Sequence, residues 1–321
     1  LKGDLHREGL EQSLRQLVER HEILRTTFHS IEGSPKQKVH SASACDIRLL
    51  YTDLRDEGDV HAAARVHARQ QASLAFNLAE CPLLRMQLLH LGDHHHVLLF
   101  TIHHIISDGW SMEVLVRELI TLYNAYVQGE RPSLPALNLQ YKDYAHWQRL
   151  ELSGKAQEQH RAYWQDQLKG PLPVLNLWTD WPRPQVKTYR GSLEYGTCRA
   201  GLLSKLKKLG HGHGASLFMI LVAAVKTLLY RYSGQQDIIV GSPVAGRDHL
   251  NLEDQIGLYL NTLVLRTRFR GHQSFSQLLE QVKTLTLEAY SHQVYPFDKL
   301  VEELSLTRDT SRSALFDVLV I

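Results

Sequence analysis

Two α/β lobes are what this sequence predicts, on three observations. Runs with strand period and runs with helix period alternate through both halves, the pattern of a layered α/β domain rather than of separate all-α and all-β blocks. Four of the ten prolines fall within residues 170–184, and proline continues neither a helix nor a ladder, so the chain divides there into residues 1–168 and 169–321. A chain of 321 residues is long enough to bury two cores of ordinary domain size.

In the first half, Leu10, Leu14, Leu17 and Val18 share one helical face. The segment passes into Thr26-Thr27-Phe28, β-branched and aromatic, and Gly33-Ser34-Pro35 turns the chain, which predicts a hairpin. Residues 60–75, rich in Ala and Arg and free of Gly and Pro, predict a helix. Residues 83–91 and 96–103 read as paired strands joined by the polar turn Gly92-Asp93-His94. Ser111 is the expected N-cap of the next helix, with Glu113 in its first turn and Gly129 as its stop. Its apolar stripe is Leu115, Leu119, Leu122 and Tyr126. After a proline-punctuated loop, one helix is expected from Tyr141 to about Leu168, anchored by Tyr163 and Trp164.

The second half predicts a strand over residues 192–198 and a short helix through Leu202, Leu203, Leu206 and Leu209. A strongly apolar helix over 216–232 is stopped by Gly234. Strands follow at 237–241 and 258–269, then a helix over 275–292 and a final strand at 315–321. No tandem repeat is present at the sequence level.

Bulk properties narrow the function classes. A net charge of +2, with no basic run carrying interleaved aromatics, argues against nucleic-acid binding. The longest apolar run, nine residues from Leu217 to Val225, falls well short of the about 20 needed to span a bilayer. Three cysteines (Cys45, Cys81 and Cys198), odd in number and far apart, fit a reducing compartment without a disulfide framework. The expectation is a soluble cytoplasmic protein.

The chemistry concentrates in Ile102-His103-His104-Ile105-Ile106-Ser107-Asp108-Gly109-Trp110-Ser111. Strand period 2 would turn His103 and His104 to opposite faces, one free for chemistry and the other for structure. Nothing resembling a Gly-x-Ser-x-Gly elbow surrounds Ser107, which excludes it as a covalent nucleophile. His90, His94, His95 and His96 invite a metal reading, but neither a cysteine pair nor a His-Glu-x-x-His helix accompanies them. They read as a polar hairpin turn, and no metal is expected.

The spacing His-His-x-x-x-Asp-Gly resembles the signature of chloramphenicol-acetyltransferase-like acyltransferases. Six further stretches, at residues 20–28, 141–147, 239–247, 256–266, 292–298 and 308–312, resemble condensation domains of nonribosomal peptide synthetases. The resemblance implies two chloramphenicol-acetyltransferase-like α/β sandwich lobes in a V-shaped pseudodimer with a tunnel between them. It also implies a domain trimmed at both ends, with the second lobe incomplete at its C-terminus.

The implied reaction joins a donor aminoacyl or peptidyl thioester, on an upstream carrier protein, to the α-amine of an acceptor on a downstream carrier. Both arrive on 4'-phosphopantetheine arms, with an adenylation domain adjacent and no cofactor bound by the domain itself. Such lines make antibiotics and siderophores, and the wording of residues 107–110, 261–266 and 292–298 resembles domains joining two L-residues. The alternatives are a coenzyme-A-dependent acyltransferase of the same superfamily and a non-catalytic platform that recruits tailoring proteins.

The resemblance assigns chemistry to His104, as a general base or as the group that orients the amine, and an imidazole suits proton transfer near neutral pH. His103 is expected to hold the strand end. Asp108 would pair with Arg247 or with Arg25, because a buried carboxylate needs a partner. Gly109 would let the backbone approach the thioester and offer its N–H to an oxyanion. Trp110, Ser111, Asn261 and Thr262 are the expected tunnel-lining residues.

Overall fold

A computed structural model of the chain describes residues 1–188, 190–306 and 309–321. The chain forms two compact units, one of Leu1–Gln148 with Arg247–Tyr259, the other of Arg149–Gly246 with Leu260–Ile321. The boundary thus lies at residue 148 rather than 168, and the segment Arg247–Tyr259 belongs to the first unit although it follows residues of the second. Packing explains the earlier boundary, since Trp164 and Leu168 are buried in the core of the second unit.

The first unit opens with α1 (Arg7–Arg20), whose Leu10, Leu14, Leu17 and Val18 are buried as their spacing requires. β1 (Thr26–Ile31) and β2 (Ser34–Val39) form the expected hairpin, with Gly33 at φ +76° in its turn. β3 (Leu49–Asp53) lies parallel to β4 (Leu84–Gly92), and β4 runs antiparallel to β5 (His95–Ile102). β4 is therefore central. Its Leu84, Met86 and Leu88 pack with α1 and with Val114, Leu115 and Leu122 of a long helix, here α3 (Gly109–Gln128). Its Leu89 and Leu91 pack on the other face with Ala64 of α2 (Val60–Ser73). Apolar cover on both faces fixes the register of β4, and through the ladder that of β5, whose end carries the histidine pair.

Several expectations need correction. The N-cap of α3 is Asp108, whose side chain accepts from the Ser111 N–H, while Gly129 at φ +70° ends the helix as foreseen. The single helix expected from Tyr141 breaks into α4 (Tyr141–Glu151) and α5 (Gly154–Gln167), with Gly154 at φ +69°. Residues 192–198 carry no strand and are exposed throughout. Of the final strand only one bridge survives, Leu319 beside Gly241, made by Gly241 N–H to Val318 O and Val320 N–H to Gly241 O, both 2.9 Å. Cys45 and Cys81 are joined as a disulfide with Cα atoms 5.5 Å apart, against the expectation of none, while Cys198 is free and exposed. Arg308, part of a stretch read in the sequence, lies outside the described residues.

In the second unit α6 (Ala200–His213), α7 (Leu217–Ser233) and α8 (Phe275–Ser291) accompany a two-stranded antiparallel sheet of β6 (Asp237–Val244) and β7 (Asn261–Arg268). Ser216 caps α7 and Gly234 at φ +70° ends it. Ile220, Val222, Ala223, Ile238, Val240, Leu263, Val264, Leu279 and Val282 make the core. A short α9 (Phe297–Glu303), which the sequence did not announce, completes the unit. No single helix among the described residues is long and apolar enough to cross a membrane.

The core of the second unit also holds a lysine. Lys226 of α7 is fully buried, and its Nζ donates to Leu265 O at 2.8 Å and to Thr267 Oγ1. Burial pulls the ammonium down from 10.5 to about 7, opposed by the charge of Asp237. Above that value the unfolded chain binds a proton that the folded one has lost, so stability rises with pH from about 7 to 10.5 and is insensitive to this group below 7. Lys226→Met removes that dependence. Urea unfolding between pH 7.5 and 9.5 is expected to show the unsubstituted protein gaining on the variant by about 1.4 kcal/mol per pH unit. Parallel pH profiles would contradict it.

Candidate active site

β5 ends at Ile102, so the two histidines diverge because of a turn and not because of strand alternation. His103 is the last extended residue, and its Nδ1 accepts the Ile105 N–H at 3.0 Å, capping one 3₁₀ turn over His104–Ile106. Its own N–H donates to Leu83 O at 3.0 Å, and its ring meets the edge of Phe76 with centroids 5.8 Å apart. His103 is thus held from three sides. His104, one residue on, is exposed, and among the described residues no protein group hydrogen-bonds its ring. Both ring nitrogens are available to a ligand.

Four residues later the chain is clasped. Asp108, only 5% exposed, accepts at Oδ1 from Ser111 N–H (2.8 Å), Ser111 Oγ (2.7 Å) and Arg247 Nη2 (3.1 Å). Its Oδ2 accepts from Tyr259 N–H at 3.1 Å. Arg247, with its side chain fully buried, donates from Nη1 to Leu252 O and Gln255 O at 2.5 and 2.7 Å. Its guanidinium lies 4.1 Å from the centre of the Tyr259 ring. Of the two expected partners of Asp108 it is Arg247 that makes the pair. Arg25 is engaged elsewhere, donating to His40 O and lying 3.8 Å from Glu22.

Ser111 is fully buried and lines no open surface, which corrects its expected role. Its hydroxyl accepts from Arg247 Nη2 (2.9 Å) and Gly257 N–H (3.0 Å), with Asp108 Oδ1 and Gly257 O (2.9 Å) as the acceptors its one proton can reach. Trp110 is 41% exposed, its indole N–H donating to Glu253 O at 2.8 Å. Gly109 is exposed and begins α3, so its N–H has no intrahelical acceptor. In the second unit, the Asn261 amide donates to Gln293 O and Tyr295 O at 2.7 Å each and accepts from Thr262 N–H and Phe297 N–H. Those four bonds engage the whole amide in fixing the turn before α9; Thr262 beside it is half-buried.

The depth of this clasp does not show in the sequence, although the stretch at 256–266 supplies two of its members, Gly257 and Tyr259. Gly257 sits where a Cβ would collide with the Tyr141 ring and come within 2.8 Å of Tyr259 Cε2. Tyr141 cannot give way cheaply, since its hydroxyl donates to Leu258 O at 2.9 Å. Burial, reinforced by the Asp108 carboxylate, pushes that phenol up to about 12, so it stays a donor at any working pH. Gly257→Ala is expected to cost about 1–3 kcal/mol by overpacking, read as a lowered melting temperature. A variant melting with the unsubstituted protein would contradict it.

A buried triad absent from the sequence expectations steadies the same helix. Glu118 of α3 is buried and accepts from His21 Nε2 at 2.8 Å and Arg20 Nε at 3.0 Å. Burial pushes this carboxyl up, and the hydrogen bonds of His21 and Arg20 more than offset it, holding it below the usual range. The histidines at 90–96 are arranged pairwise: His90 stacks on His96 with centroids 4.4 Å apart, and His94 pairs with Asp4. Among the described residues no group of three or more His, Cys, Asp or Glu is placed to hold a metal ion.

Known proteins resemble this chain in sequence and in fold. The family model for the Condensation domain matches residues 1–321. The chain is 42% identical over 319 residues to tyrocidine synthase 3 of Brevibacillus parabrevis, an alignment covering 99% of this chain and 5% of that protein. The chain therefore spans a small fraction of the length of the curated relatives it matches. Among solved structures it resembles the X-domain from teicoplanin biosynthesis in its complex with OxyB (TM-score 0.86, 29% identity, 99% of this chain and 69% of that one). It shares the fold of the first condensation domain of the calcium-dependent antibiotic synthetase (TM-score 0.77, 24% identity, 95% and 70% covered).

Proposed function

We propose, for a chain that belongs to the condensation-domain family of nonribosomal peptide synthetases, within the chloramphenicol-acetyltransferase-like fold, that it forms amide bonds between carrier-bound substrates. The donor is an aminoacyl or peptidyl thioester on an upstream carrier protein, and the acceptor is the α-amine of an aminoacyl group on a downstream carrier. Each is delivered on a 4'-phosphopantetheine arm, and an adenylation domain of the same assembly line loads the acceptor. The wording of residues 107–110, 261–266 and 292–298 favours L-configured residues on both sides. The compartment proposed for this work is the cytoplasm.

The observation that carries the reading is the contrast within five residues of chain: an exposed imidazole at His104 followed by a carboxylate at Asp108 whose oxygens are fully engaged. In the proposed reaction the acceptor ammonium gives up a proton and its nitrogen attacks the donor carbonyl. The C–N bond forms, the C–S bond breaks, and the departing thiolate is protonated. His104 is the group able to take or steer the amine proton, and it also stabilises the charge of the tetrahedral intermediate. The exposed N–H of Gly109, at the positive end of α3, suits the developing oxyanion. Asp108 is a positioning residue, since its lone pairs are committed to Ser111, Arg247 and Tyr259.

The non-catalytic alternative draws on one finding, the likeness to an X-domain solved in complex with OxyB. A platform for tailoring proteins has no use for an exposed histidine ahead of a clasped carboxylate, which favours the enzyme. The test is incubation with a donor-loaded and an acceptor-loaded carrier protein, followed by mass analysis of the acceptor arm. Transfer of the donor mass onto the acceptor carrier supports amide synthesis. Intact donor and acceptor at the end of the incubation would sink it.

A further inference from the structure

We propose that Cys45 and Cys81 are a thiol–disulfide modification site, open to small-molecule thiols, whose redox state sets how firmly His103 is held. Both cysteines lie in the first unit, and the bond joins positions 36 residues apart. It ties the coil ahead of β3 to the residues that lead into β4. The loop it anchors, residues 74–83, contains neither helix nor strand. That loop touches the histidine turn twice: Leu83 O, two residues beyond Cys81, accepts the His103 N–H at 3.0 Å, and Phe76 packs edge-on against the His103 ring.

The loop is otherwise secured by packing, with Leu83 buried in the core of the first unit and Phe76 and Leu78 against it, and by a few hydrogen bonds. Leu78 O accepts from Phe28 N–H at 2.8 Å, and the Arg85 guanidinium, 3.8 Å over the Phe76 ring, donates to Leu74 O and Ala75 O. A covalent cross-link over 36 residues restricts the open ensemble more than any one of these bonds can, so its loss falls on this loop first. Access is one-sided. Cys45 is buried at 6% exposure, whereas Cys81 is half-buried and lines a cavity of about 350 Å³ with Pro82, Arg48 and Arg85. The lining carries both signs, Arg48 and Arg85 against Asp46 and Glu80, with Arg48 paired to Asp46 at 2.7 Å, so access rests on the cavity and not on a net charge.

The chemistry balances with two thiols. One thiolate attacks Cys81 Sγ, forming a mixed disulfide and releasing the Cys45 thiolate. A second thiolate attacks the outer sulfur of that mixed disulfide, releasing the Cys81 thiolate and leaving the small disulfide as product. Two electrons enter the protein, and both cysteine thiolates take up protons.

The consequence for amide synthesis rests on the reading of the His103-His104 turn as the active site, but the test does not. The protein is equilibrated in glutathione redox buffers, alkylated in denaturant and weighed, with exposed Cys198 as the internal reference. One alkylation is expected in oxidising buffers and three in reducing ones. Amide hydrogen exchange at residues 74–83 and 102–106 is expected to quicken roughly tenfold on reduction. The paired substitution Cys45→Ser with Cys81→Ser should sit at the fast rate in every buffer. Three alkylations in every buffer, or exchange at 102–106 indifferent to reduction, would overturn the proposal. Neither readout involves carrier proteins, so failure of the amide assay and failure here are told apart.

Discussion

Arg247→Ala is expected to destabilise the first unit by about 3–5 kcal/mol, the usual cost of orphaning one member of a buried ion pair. The guanidinium holds five partners through two nitrogens: the two oxygens of Asp108, Ser111 Oγ, Leu252 O and Gln255 O. Its removal leaves a carboxylate that is 2% exposed facing only uncharged donors, and it strips Gln255 O of its side-chain donor while Leu252 O keeps the Gln255 N–H at 3.3 Å. Asp108→Asn should cost less, because the amide oxygen can still accept from Ser111 while its NH₂ is forced against Arg247 or Tyr259 N–H. Urea unfolding followed by tryptophan fluorescence measures both. Arg247→Ala unfolding within 1 kcal/mol of the parent would remove the clasp from the account.

His104→Ala is expected to do the reverse, leaving the fold intact while lowering turnover by about 10²–10⁴, the range that general acid–base groups supply. The side chain is exposed and carries no hydrogen bond whose loss would be felt in the folded state. Its melting temperature should stay with that of the parent protein, and steady-state amide formation should fall. The pairing of outcomes is what matters: a structural histidine would lower both, as His103→Ala is expected to do by removing the ring that accepts from Ile105 N–H and packs against Phe76.

Local features were legible in the sequence. Spacing alone placed α1, the β1–β2 hairpin, the β4–β5 pair and the helix ends at Gly129 and Gly234, because each depends on local periodicity or on a residue that tolerates positive φ. What failed was whatever depends on a distant partner. The strand expected at 192–198 has a plausible pattern and nothing to pair with among the described residues. β3, by contrast, shows little alternation between buried and exposed positions, and is a strand because β4 lies beside it. The disulfide was invisible because packing with Ile47 and Leu83, not spacing, brings Cys45 to Cys81.

At the site the motif located His104 and Asp108, and a buried carboxylate demanded an arginine without saying which. Only the fold separates Arg247 from Arg25. The N-cap was misplaced by three residues because Ser111 and Asp108 are both good caps, and the one whose oxygen faces the free N–H wins. One missed signal was readable. Glu118 stands among Val114, Leu115 and Leu122 on the buried face of α3, and a charge on such a stripe implies a partner, which Arg20 and His21 supply.

The central claim is that His104 acts on the amine while Asp108 only holds the turn that presents it. Single-turnover transfer between fully loaded donor and acceptor carriers, timed by rapid quench for the parent and for His104→Ala, reads the chemical step without loading or release. The account predicts a transfer rate at least about 100-fold slower in the variant, at unchanged carrier affinity. Transfer within about twofold of the parent rate would contradict it.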